Sequence, residues 1–170
     1  MKFKPTMYQK NIYEIDYALL KKQGVSVLIF DLDNTLAFID DKECPKKSLE
    51  LIQKLKKDFM VYIISNNEKV RIEPYTKALE IEGVAKARKP FTKGLREIYK
   101  KGHKKDEMVM IGDQLVTDIL SGNLFSIKTI WTDPLGEKDL KITKFNRFLE
   151  RCILKYYGRR NILERGKYYE

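Results

Sequence analysis

Two aspartates that directly follow an apolar run are the residues of this chain best suited to chemistry. Asp31 and Asp33 come after Val25–Phe30 and lie two positions apart, so an extended backbone points both carboxylates to the same side. A carboxylate placed in this way can attack phosphorus and form an aspartyl-phosphate intermediate. Asp31 comes first off the run and is the predicted nucleophile. Asp33 is the predicted acid/base, and Thr35 could stabilise the turn that follows.

A metal site is predicted from the same aspartates and from two more. Magnesium prefers hard oxygen ligands in octahedral geometry and usually keeps several waters. Asp31 and Asp113 could each supply a carboxylate oxygen, and the backbone carbonyl of Asp33 could be a third ligand. Asp118, five positions after Asp113, could anchor metal-bound waters. The predicted cofactor is therefore Mg²⁺.

Further polar side chains could neutralise the charge on a transferring phosphoryl group, on which catalysis of this kind depends. Ser65 and Asn66 follow a second apolar run and could donate hydrogen bonds to the phosphate oxygens. Lys89 could add a positive charge, although Arg88 or Lys86 could take that position instead. The predicted catalytic and substrate-binding residues are Asp31, Asp33, Thr35, Ser65, Asn66 and Lys89.

The elements that must position these residues alternate along the chain. The predicted strands are Val25–Phe30, Met60–Ile64, Met108–Ile111 and Ile127–Trp131, with a weaker one near Val84. Segments with helical periodicity fill the gaps between them. This alternation predicts an α/β fold, a mostly parallel sheet with helices on both faces. Ligands of such sheets bind at the carboxyl ends of the strands, where Asp31, Ser65 and Asp113 all lie.

Residues 1–170 are predicted to form a single domain, with helical flanks over about 1–24 and about 140–170. Ile12, Ile15, Leu19 and Leu20 have helical spacing in the first flank. The second carries an apolar stripe at helical spacing, which consists of Ile142, Phe145, Phe148, Leu149, Cys152, Ile153 and Tyr156. Both flanks are expected to pack on the core, and Cys152 is expected to be a buried small hydrophobe.

The charge of the chain predicts an anionic partner. The net charge is +10 and the pI is near 9.4, which suits a phosphorylated substrate, a membrane surface or nucleic acid. Between Lys141 and Glu170 there are nine Lys/Arg and three Asp/Glu. Basic residues beside an apolar helical stripe suit peripheral contact with anionic phospholipid. The alternative is that the stripe packs on the core and the basic residues form a solvated face.

Several classes of protein are poorly supported. No apolar run approaches the ~20 residues of a transmembrane helix, and the N-terminus lacks the apolar segment of a secretory signal. The expected location is cytoplasmic, with peripheral contact at the inner membrane face as a further expectation. The only histidine is His103 and the only cysteines are Cys44 and Cys152. Serine–histidine catalysis, a His-rich zinc site and a disulfide framework are therefore disfavoured.

The combined pattern resembles the haloacid dehalogenase-like (HAD) phosphatase superfamily. The segment Asp31–Leu36 is similar to the first motif of that superfamily, Ser65 to the second, Lys89 to the third, and Asp113 with Asp118 to the fourth. The resemblance extends from about Val25 to Trp131. It implies a Rossmann-like three-layer sandwich, magnesium and an aspartyl-phosphate intermediate.

A narrower resemblance, to the YqeG family of subclass IIIA, extends over most of the chain. The segments that carry it are Ser65–Asn67, Arg88–Pro90, Gly112–Asp118, Gly122–Asn123 and Asn146–Arg151. Leu124 departs from it, because members of the family often carry arginine there. The family is related to the phosphatidylglycerophosphate phosphatases of mitochondria and plastids. The resemblance thus implies a role in phosphatidylglycerol synthesis.

The spacing of the motifs leaves no room for a large cap domain. Thr35 and Ser65 are 30 positions apart, and a predicted helix and strand occupy that interval. Ser65 and Lys89 are 24 positions apart, and a second predicted helix occupies that one. A capless, open site is expected, unless an oligomer partner supplies a lid. The leading hypothesis is a Mg²⁺-dependent phosphatidylglycerophosphate phosphatase. A phosphatase of nucleic-acid ends or small metabolites is the second, and a non-catalytic RNA- or protein-binding scaffold the third.

Overall fold

The computed structural model describes residues 1–138 and 141–170, without the side chains of residues 141 and 142. Strands and helices alternate along most of the chain. In order they are β1 (Met7–Gln9), α1 (Tyr17–Lys22), β2 (Val27–Phe30), α2 (Lys46–Leu55), β3 (Met60–Ile64), α3 (Lys69–Leu79), β4 (Glu82–Val84), α4 (Lys93–Tyr99), β5 (Met108–Gly112), α5 (Leu120–Phe125), β6 (Lys128–Thr132) and α6 (Lys141–Gly158). A 3₁₀ turn at Lys105–Glu107 precedes β5, and a π-helical turn at Leu115–Ile119 precedes α5.

The six strands form one sheet in the order β1-β6-β5-β2-β3-β4, and every neighbouring pair is parallel. The predicted open α/β sheet is confirmed. The strongest predicted strands correspond to β2, β3, β5 and β6, and the weak one near Val84 corresponds to β4. β2 lies between β3 and β5, so the chain leaves β2 toward one edge and later returns to its other side.

Alternation along the central strands builds two cores, one on each face of the sheet. Leu28 and Phe30 point to the face that α2 and α3 cover. Val27 and Ile29 point to the opposite face, which α4 and α5 cover. All four side chains are fully buried, as expected for strands covered on both faces. This double burial fixes the position of β2 in the sheet. It thereby also fixes the position of Asp31, which follows the carboxyl end of the strand.

The N-terminal flank differs from the prediction of a helix, because it begins with strand β1. Tyr8 pairs with Trp131 of β6, and the two rings stack with centroids 4.2 Å apart. The Tyr8 hydroxyl donates to Asp133 at 2.6 Å. Only Tyr17–Lys22 is helical, and Asp16 caps it by accepting from the amide of Leu19. Pairing with β6 stabilises a strand that three residues could not form alone.

Helix α6 packs on the protein through a face other than the predicted one. The stripe residues Phe145, Phe148, Leu149, Cys152 and Tyr156 are exposed, so the prediction that they pack on the core is wrong. Cys152, expected to be buried, is one of these exposed residues. Ile142 lies outside the described side chains, and Ile153 is partly buried. The buried side chains of α6 are instead Thr143, Glu150 and Tyr157.

The residues after α6 return to the first strand. Tyr169 forms an antiparallel bridge with Tyr8, with both backbone hydrogen bonds made at 2.8 and 2.9 Å. Leu163 is buried in a small third core with Tyr8, Trp131 and Tyr157. The end of α6 and the residues that follow it are thereby anchored to β1 and β6. Among the described residues, no helix is both long and apolar enough to cross a membrane.

Candidate active site

The predicted site residues converge at the carboxyl ends of three adjacent strands. Asp31 follows β2, Ser65 follows β3 and Asp113 follows β5. After β2, the chain adds β3 and β4 on one side of that strand and then β5 and β6 on the other side. Ligands of open α/β sheets bind where the strand order reverses in this way. Lys89 reaches the same place from the loop between β4 and α4. Segments that are far apart in sequence therefore meet at one locus.

Three carboxylates form a compact buried cluster. One oxygen from each of Asp31, Asp113 and Asp118 lies within 4.8 Å of the others. The π-helical turn carries Asp118 back toward β5, where its carboxylate accepts from the amide of Gln114 at 3.0 Å. Hard oxygen donors that converge in this way suit a divalent cation. The chemistry of the donor set therefore fits the implied metal.

The lysine predicted for the site lies within this cluster. The Lys89 ammonium is 2.6 Å from Asp31 and 2.6 Å from Asp118, and it also donates to the Ile64 carbonyl at 3.3 Å. Burial acts to lower the pKa of Lys89, but the carboxylates of Asp118 and Asp31 outweigh it and raise that pKa above its ordinary value. Lys89 is therefore a permanent cation at the site.

The two other basic residues considered for this position lie outside the site. Lys86 is exposed and pairs with Glu68 at 2.7 Å. Arg88 is also exposed. Of the three candidates, only Lys89 contacts the buried carboxylates.

Burial disfavours the negative charge of the cluster. Burial raises the pKa of Asp31 well above its usual range; Lys89 opposes the shift, while Asp118 and Asp113 add to it. Burial likewise raises the pKa of Asp113 to about 7, with Arg147 opposing. A bound cation would favour the ionised form of each carboxylate. The electrostatics therefore also fit a metal held by Asp31, Asp113 and Asp118.

Asp33 lies apart from these carboxylates and has its own partners. Its Oδ1 accepts from Nη2 of Arg71 at 2.6 Å and from Nε at 3.2 Å, while Asn67 donates to Oδ2. Arg71 comes from α3, where Tyr75 lies 3.0 Å from its guanidinium. The sequence interpretation gave no role to Arg71, which lies outside the motifs considered, or to Asn67, which belongs to the Ser65–Asn67 segment but was not assigned a contact. Arg71 and Asn67 thus hold Asp33 at the cavity, outside the cluster of Asp31, Asp113 and Asp118.

Two predicted substrate contacts have other partners in the structure. The Asn66 side chain accepts from the Lys89 amide at 2.7 Å and donates to the Lys89 carbonyl at 3.0 Å, so it positions the loop that carries that lysine. Thr35 is buried, and its hydroxyl lies 3.5 Å from Asp113. The turn before it holds Asn34 at a φ of 61°, a conformation that asparagine tolerates. Ser65 lines the cavity, and its hydroxyl accepts from the Asn67 amide at 3.2 Å.

Helix α6 contributes an arginine that the sequence interpretation did not identify. Arg147 donates to the Asp113 carbonyl at 2.8 Å and also contacts the Asp113 carboxylate. Glu150 braces this arrangement, because it accepts from the amide of Leu115 at 3.0 Å and pairs with Arg147 and Arg165. The Asp113 carbonyl also accepts from the Trp131 indole at 2.9 Å. The polar inner face of α6 therefore supports Asp113, one of the three carboxylates that could hold a metal.

The site opens into a cavity of about 550 Å³. Its polar side includes Asp31, Asp33, Ser65 and Lys89. Its apolar side chains are Phe3, Ile39, Pro90, Val116, Leu120 and Leu149. Asp113 and Asp118 are fully buried and are not part of the cavity lining. A phosphate beside Asp31 could therefore be attached to a group with apolar surface.

Gly112 yields a test of the carboxylate cluster. A Cβ at this position would lie 2.4 Å from the Asp118 carboxylate, so Gly112→Ala must displace Asp118. We expect magnesium affinity to fall roughly 10- to 100-fold, as when a supporting contact of a metal site is lost. Magnesium titrations followed by thermal denaturation will measure this. Gly158→Ala is the control, because no atom lies within 4 Å of its added Cβ; equal magnesium affinity in both variants would contradict the prediction.

The chain is similar to known phosphatases over most of its length. Residues 1–136 match the family model described as "Mitochondrial PGP phosphatase". "Probable phosphatase YqeG" of Bacillus subtilis (strain 168) is 37% identical over 164 residues, which cover 95% of each chain. "Phosphatidylglycerophosphate phosphatase 1, chloroplastic/mitochondrial" of Arabidopsis thaliana is 30% identical over 170 residues. That match covers 93% of this chain but only 49% of the Arabidopsis protein.

Solved structures show the same fold at low sequence identity. A predicted HAD-like family hydrolase from Porphyromonas gingivalis superposes with a TM-score of 0.54 at 14% identity, over 74% of this chain and 98% of that one. The hypothetical protein XCC2798 from Xanthomonas campestris gives 0.52 at 16% identity, over 72% and 71%. These likenesses support the fold, and the family match supports the activity. The chain has the HAD-like fold and belongs to the PGP phosphatase family, to which its resemblance to YqeG also pointed.

Proposed function

We propose that this phosphatase hydrolyses a phosphomonoester with Mg²⁺ through an aspartyl-phosphate on Asp31. One observation carries the proposal: Asp31 and Asp33 line the same cavity, but their carboxylates have different partners. Asp31 is paired with Lys89 within the buried acidic cluster, whereas Asp33 is held by Arg71 outside it. Two carboxylates in different environments can divide the roles of nucleophile and acid/base.

In the proposed reaction, an oxygen of Asp31 attacks phosphorus and the bond to the leaving oxygen breaks. Asp33 gives its proton to that oxygen, and later takes a proton from the water that hydrolyses the acyl phosphate. Lys89 neutralises charge beside Asp31, and the Ser65 hydroxyl faces the cavity where the phosphate oxygens would lie. Asp31, Asp113 and Asp118, with the Asp33 carbonyl, would hold Mg²⁺, which supplies further neutralisation of phosphate charge when bound.

The substrate we propose is phosphatidylglycerophosphate, and the reaction would yield phosphatidylglycerol. The family match and the Arabidopsis relative support this choice. The apolar side of the cavity supports it further, because Val116, Leu120 and Leu149 could contact the glycerol and acyl region of a lipid. A small sugar phosphate or a nucleic-acid end would leave these side chains without apolar contacts.

The experiment compares substrates with and without magnesium. Purified protein is assayed against phosphatidylglycerophosphate in mixed micelles, a 5′-phosphorylated oligonucleotide, a sugar phosphate and a generic aryl phosphate. We expect magnesium-dependent hydrolysis, with a kcat/KM for the lipid at least about 100-fold above that for the sugar phosphate or oligonucleotide, a margin of roughly 2.7 kcal/mol. A preference for either soluble substrate would reject the lipid assignment. Absence of activity on all four would favour the scaffold hypothesis.

A further inference from the structure

Helix α6 presents an apolar face to solvent beside the cavity. We call Phe145, Phe148, Leu149, Cys152 and Tyr156 the outer face of α6. Their spacing places them on one side of the helix. Phe145 is 60% exposed and Phe148 is 53% exposed. Exposing two phenylalanines one turn apart is costly in water, and contiguous apolar surface of this kind marks an interaction site.

Basic residues of α6 border the outer face, and none of the residues of the helix that border it is acidic. Lys144, Arg151 and Lys155 are exposed and follow one another along one border of the apolar stripe. Arg159 and Arg160 continue the positive charge beyond the end of the helix. The only carboxylate between Lys141 and Gly158 is Glu150, which is buried and paired on the opposite side. The outer face therefore combines apolar surface with unbalanced positive charge.

The outer face is continuous with the mouth of the cavity. Leu149 belongs to both, and Thr143 and Asn146 of the same helix also line the cavity. Two further exposed apolar residues lie close to cavity-lining residues in the chain. Phe91 is 73% exposed and follows Pro90 directly, and Leu124 is 46% exposed and lies one turn after Leu120. Exposed apolar residues thus lie close in the chain to cavity-lining residues in three segments, the loop at Pro90, α5 and α6.

We propose that the outer face of α6 docks on a bilayer that contains anionic phospholipid and turns the cavity mouth toward it. Apolar side chains would enter the boundary between headgroups and acyl chains, and the basic border would meet the lipid phosphates. The inference deepens the proposed function and rests on it only in taking the substrate from that bilayer. The docking itself rests on the exposure and charge of α6.

Charge distinguishes the bilayer from a second copy of this chain. If two outer faces packed together, the basic borders of both copies would be brought close, and α6 carries no carboxylate on this face to neutralise them. Like charges at an interface oppose association. An anionic lipid surface supplies the missing negative charge along the whole length of the helix. The arrangement of residues therefore favours lipid as the occupant.

The apolar contribution is tested by sedimentation with vesicles. The double variant Phe145→Ser/Phe148→Ser is compared with the full-length protein on phosphatidylcholine vesicles with and without phosphatidylglycerol. We expect binding of the unaltered protein only when phosphatidylglycerol is present, and at least about tenfold weaker binding of the variant. Met60→Ser/Val70→Ser is the matched control, because both residues are exposed but lie outside α6. That control should bind like the unaltered protein.

The electrostatic contribution is tested with Lys144→Gln/Arg151→Gln/Lys155→Gln. At low salt we expect binding on the order of 100-fold weaker, since each basic residue near an anionic surface contributes to the attraction. Lys54→Gln/Lys57→Gln/Lys100→Gln removes the same charge from exposed positions elsewhere and should retain most of the binding. Equal losses in both triple variants would show that net charge alone drives binding and would overturn the proposed face.

Two readouts separate this inference from the proposed function. All variants should keep their activity on an aryl phosphate, because none replaces a residue of the active site. If they keep that activity but bind vesicles as well as the unaltered protein does, the docking inference is wrong and the phosphatase chemistry stands. If the unaltered protein binds vesicles as expected but does not hydrolyse the lipid, the substrate proposal fails and docking stands. Dimerisation abolished by Phe145→Ser/Phe148→Ser, without vesicle binding, would identify the second copy as the occupant.

Discussion

Replacing Asp31 with asparagine should abolish turnover without unfolding the protein. Asparagine has nearly the same shape but cannot form an acyl phosphate, so we expect kcat to fall about 10⁴-fold or more. Stability should not fall in parallel, because the substitution removes one of three mutually repelling buried carboxylates while Asp118 still pairs with Lys89. Steady-state assays and urea denaturation on the same preparations will measure both quantities. Residual activity near that of the unaltered enzyme would reject Asp31 as the nucleophile.

Asp33→Asn is the companion variant, because it should affect a different step. An aryl phosphate with a good leaving group needs little help from an acid, so Asp31 should still be phosphorylated. Hydrolysis of the intermediate should be slow, because the base that activates water is missing. We expect a burst of about one equivalent of product followed by slow turnover. Asp31→Asn should show no burst.

Replacing Lys89 with methionine should cost both activity and stability. The Lys89 ammonium pairs with Asp31 and Asp118 at 2.6 Å each, and its side chain is only 4% exposed. Its loss leaves buried carboxylates without a cation, a change that typically costs about 3–5 kcal/mol of unfolding free energy. We expect kcat to fall roughly 10²- to 10³-fold through lost charge neutralisation. Lys86→Met is the control, because Lys86 is exposed and pairs with Glu68 rather than with the cluster.

The stability deficit of Lys89→Met should depend on pH and magnesium. Lys89 lowers the pKa of Asp31, so its removal raises further a pKa that burial has already raised. At near-neutral pH, Asp31 of the folded variant then keeps its proton. In the unfolded chain, where the pKa of Asp31 has its ordinary value of 3.8, that proton is lost. The deficit should therefore shrink as the pH falls from about 8 to about 5. Magnesium at about 100 times its Kd for the variant should raise the variant's own unfolding free energy by roughly 2.7 kcal/mol. A deficit that stays constant across the pH titration, or a variant that magnesium does not stabilise, would contradict the proposed cluster.

Much of the fold and the centre of the site could be predicted from the sequence. β2, β3, β5 and β6 are buried on both faces, so their sequences are nearly continuous apolar runs. Each strand end is followed by polar residues in a characteristic order, which identified Asp31, Ser65 and Asp113. β1 escaped prediction because three residues carry too little periodicity, and because its stability comes from Trp131 and the distant Tyr169.

The contacts of the residues that support the site could not be derived from the sequence, although Arg147 lies in the Asn146–Arg151 segment of the YqeG resemblance. Arg71 reaches Asp33 from α3, and Arg147 reaches Asp113 from α6. Neither has a fixed spacing from its partner, because the loops between them determine the contact. The orientation of α6 was also mispredicted for a physical reason. A prediction based on hydrophobicity places the apolar stripe of α6 against the core. In the structure, the ion pairs of Arg147 and Glu150 hold the polar face of the helix there instead.

The place of β1 in the sheet imposes an order on events during protein synthesis. β1 leaves the ribosome before the other five strands of the sheet, but its pairing partners among the described residues are β6 and, through Tyr8, Tyr169. Both partners are made more than 100 residues later, so the intervening chain must be closed into a loop before β1 gains any pairing. The core around β2, β3 and β5 can assemble earlier. β1 should therefore be among the last strands to join the sheet, once β6 and Tyr169 have been synthesised and can hold it in place.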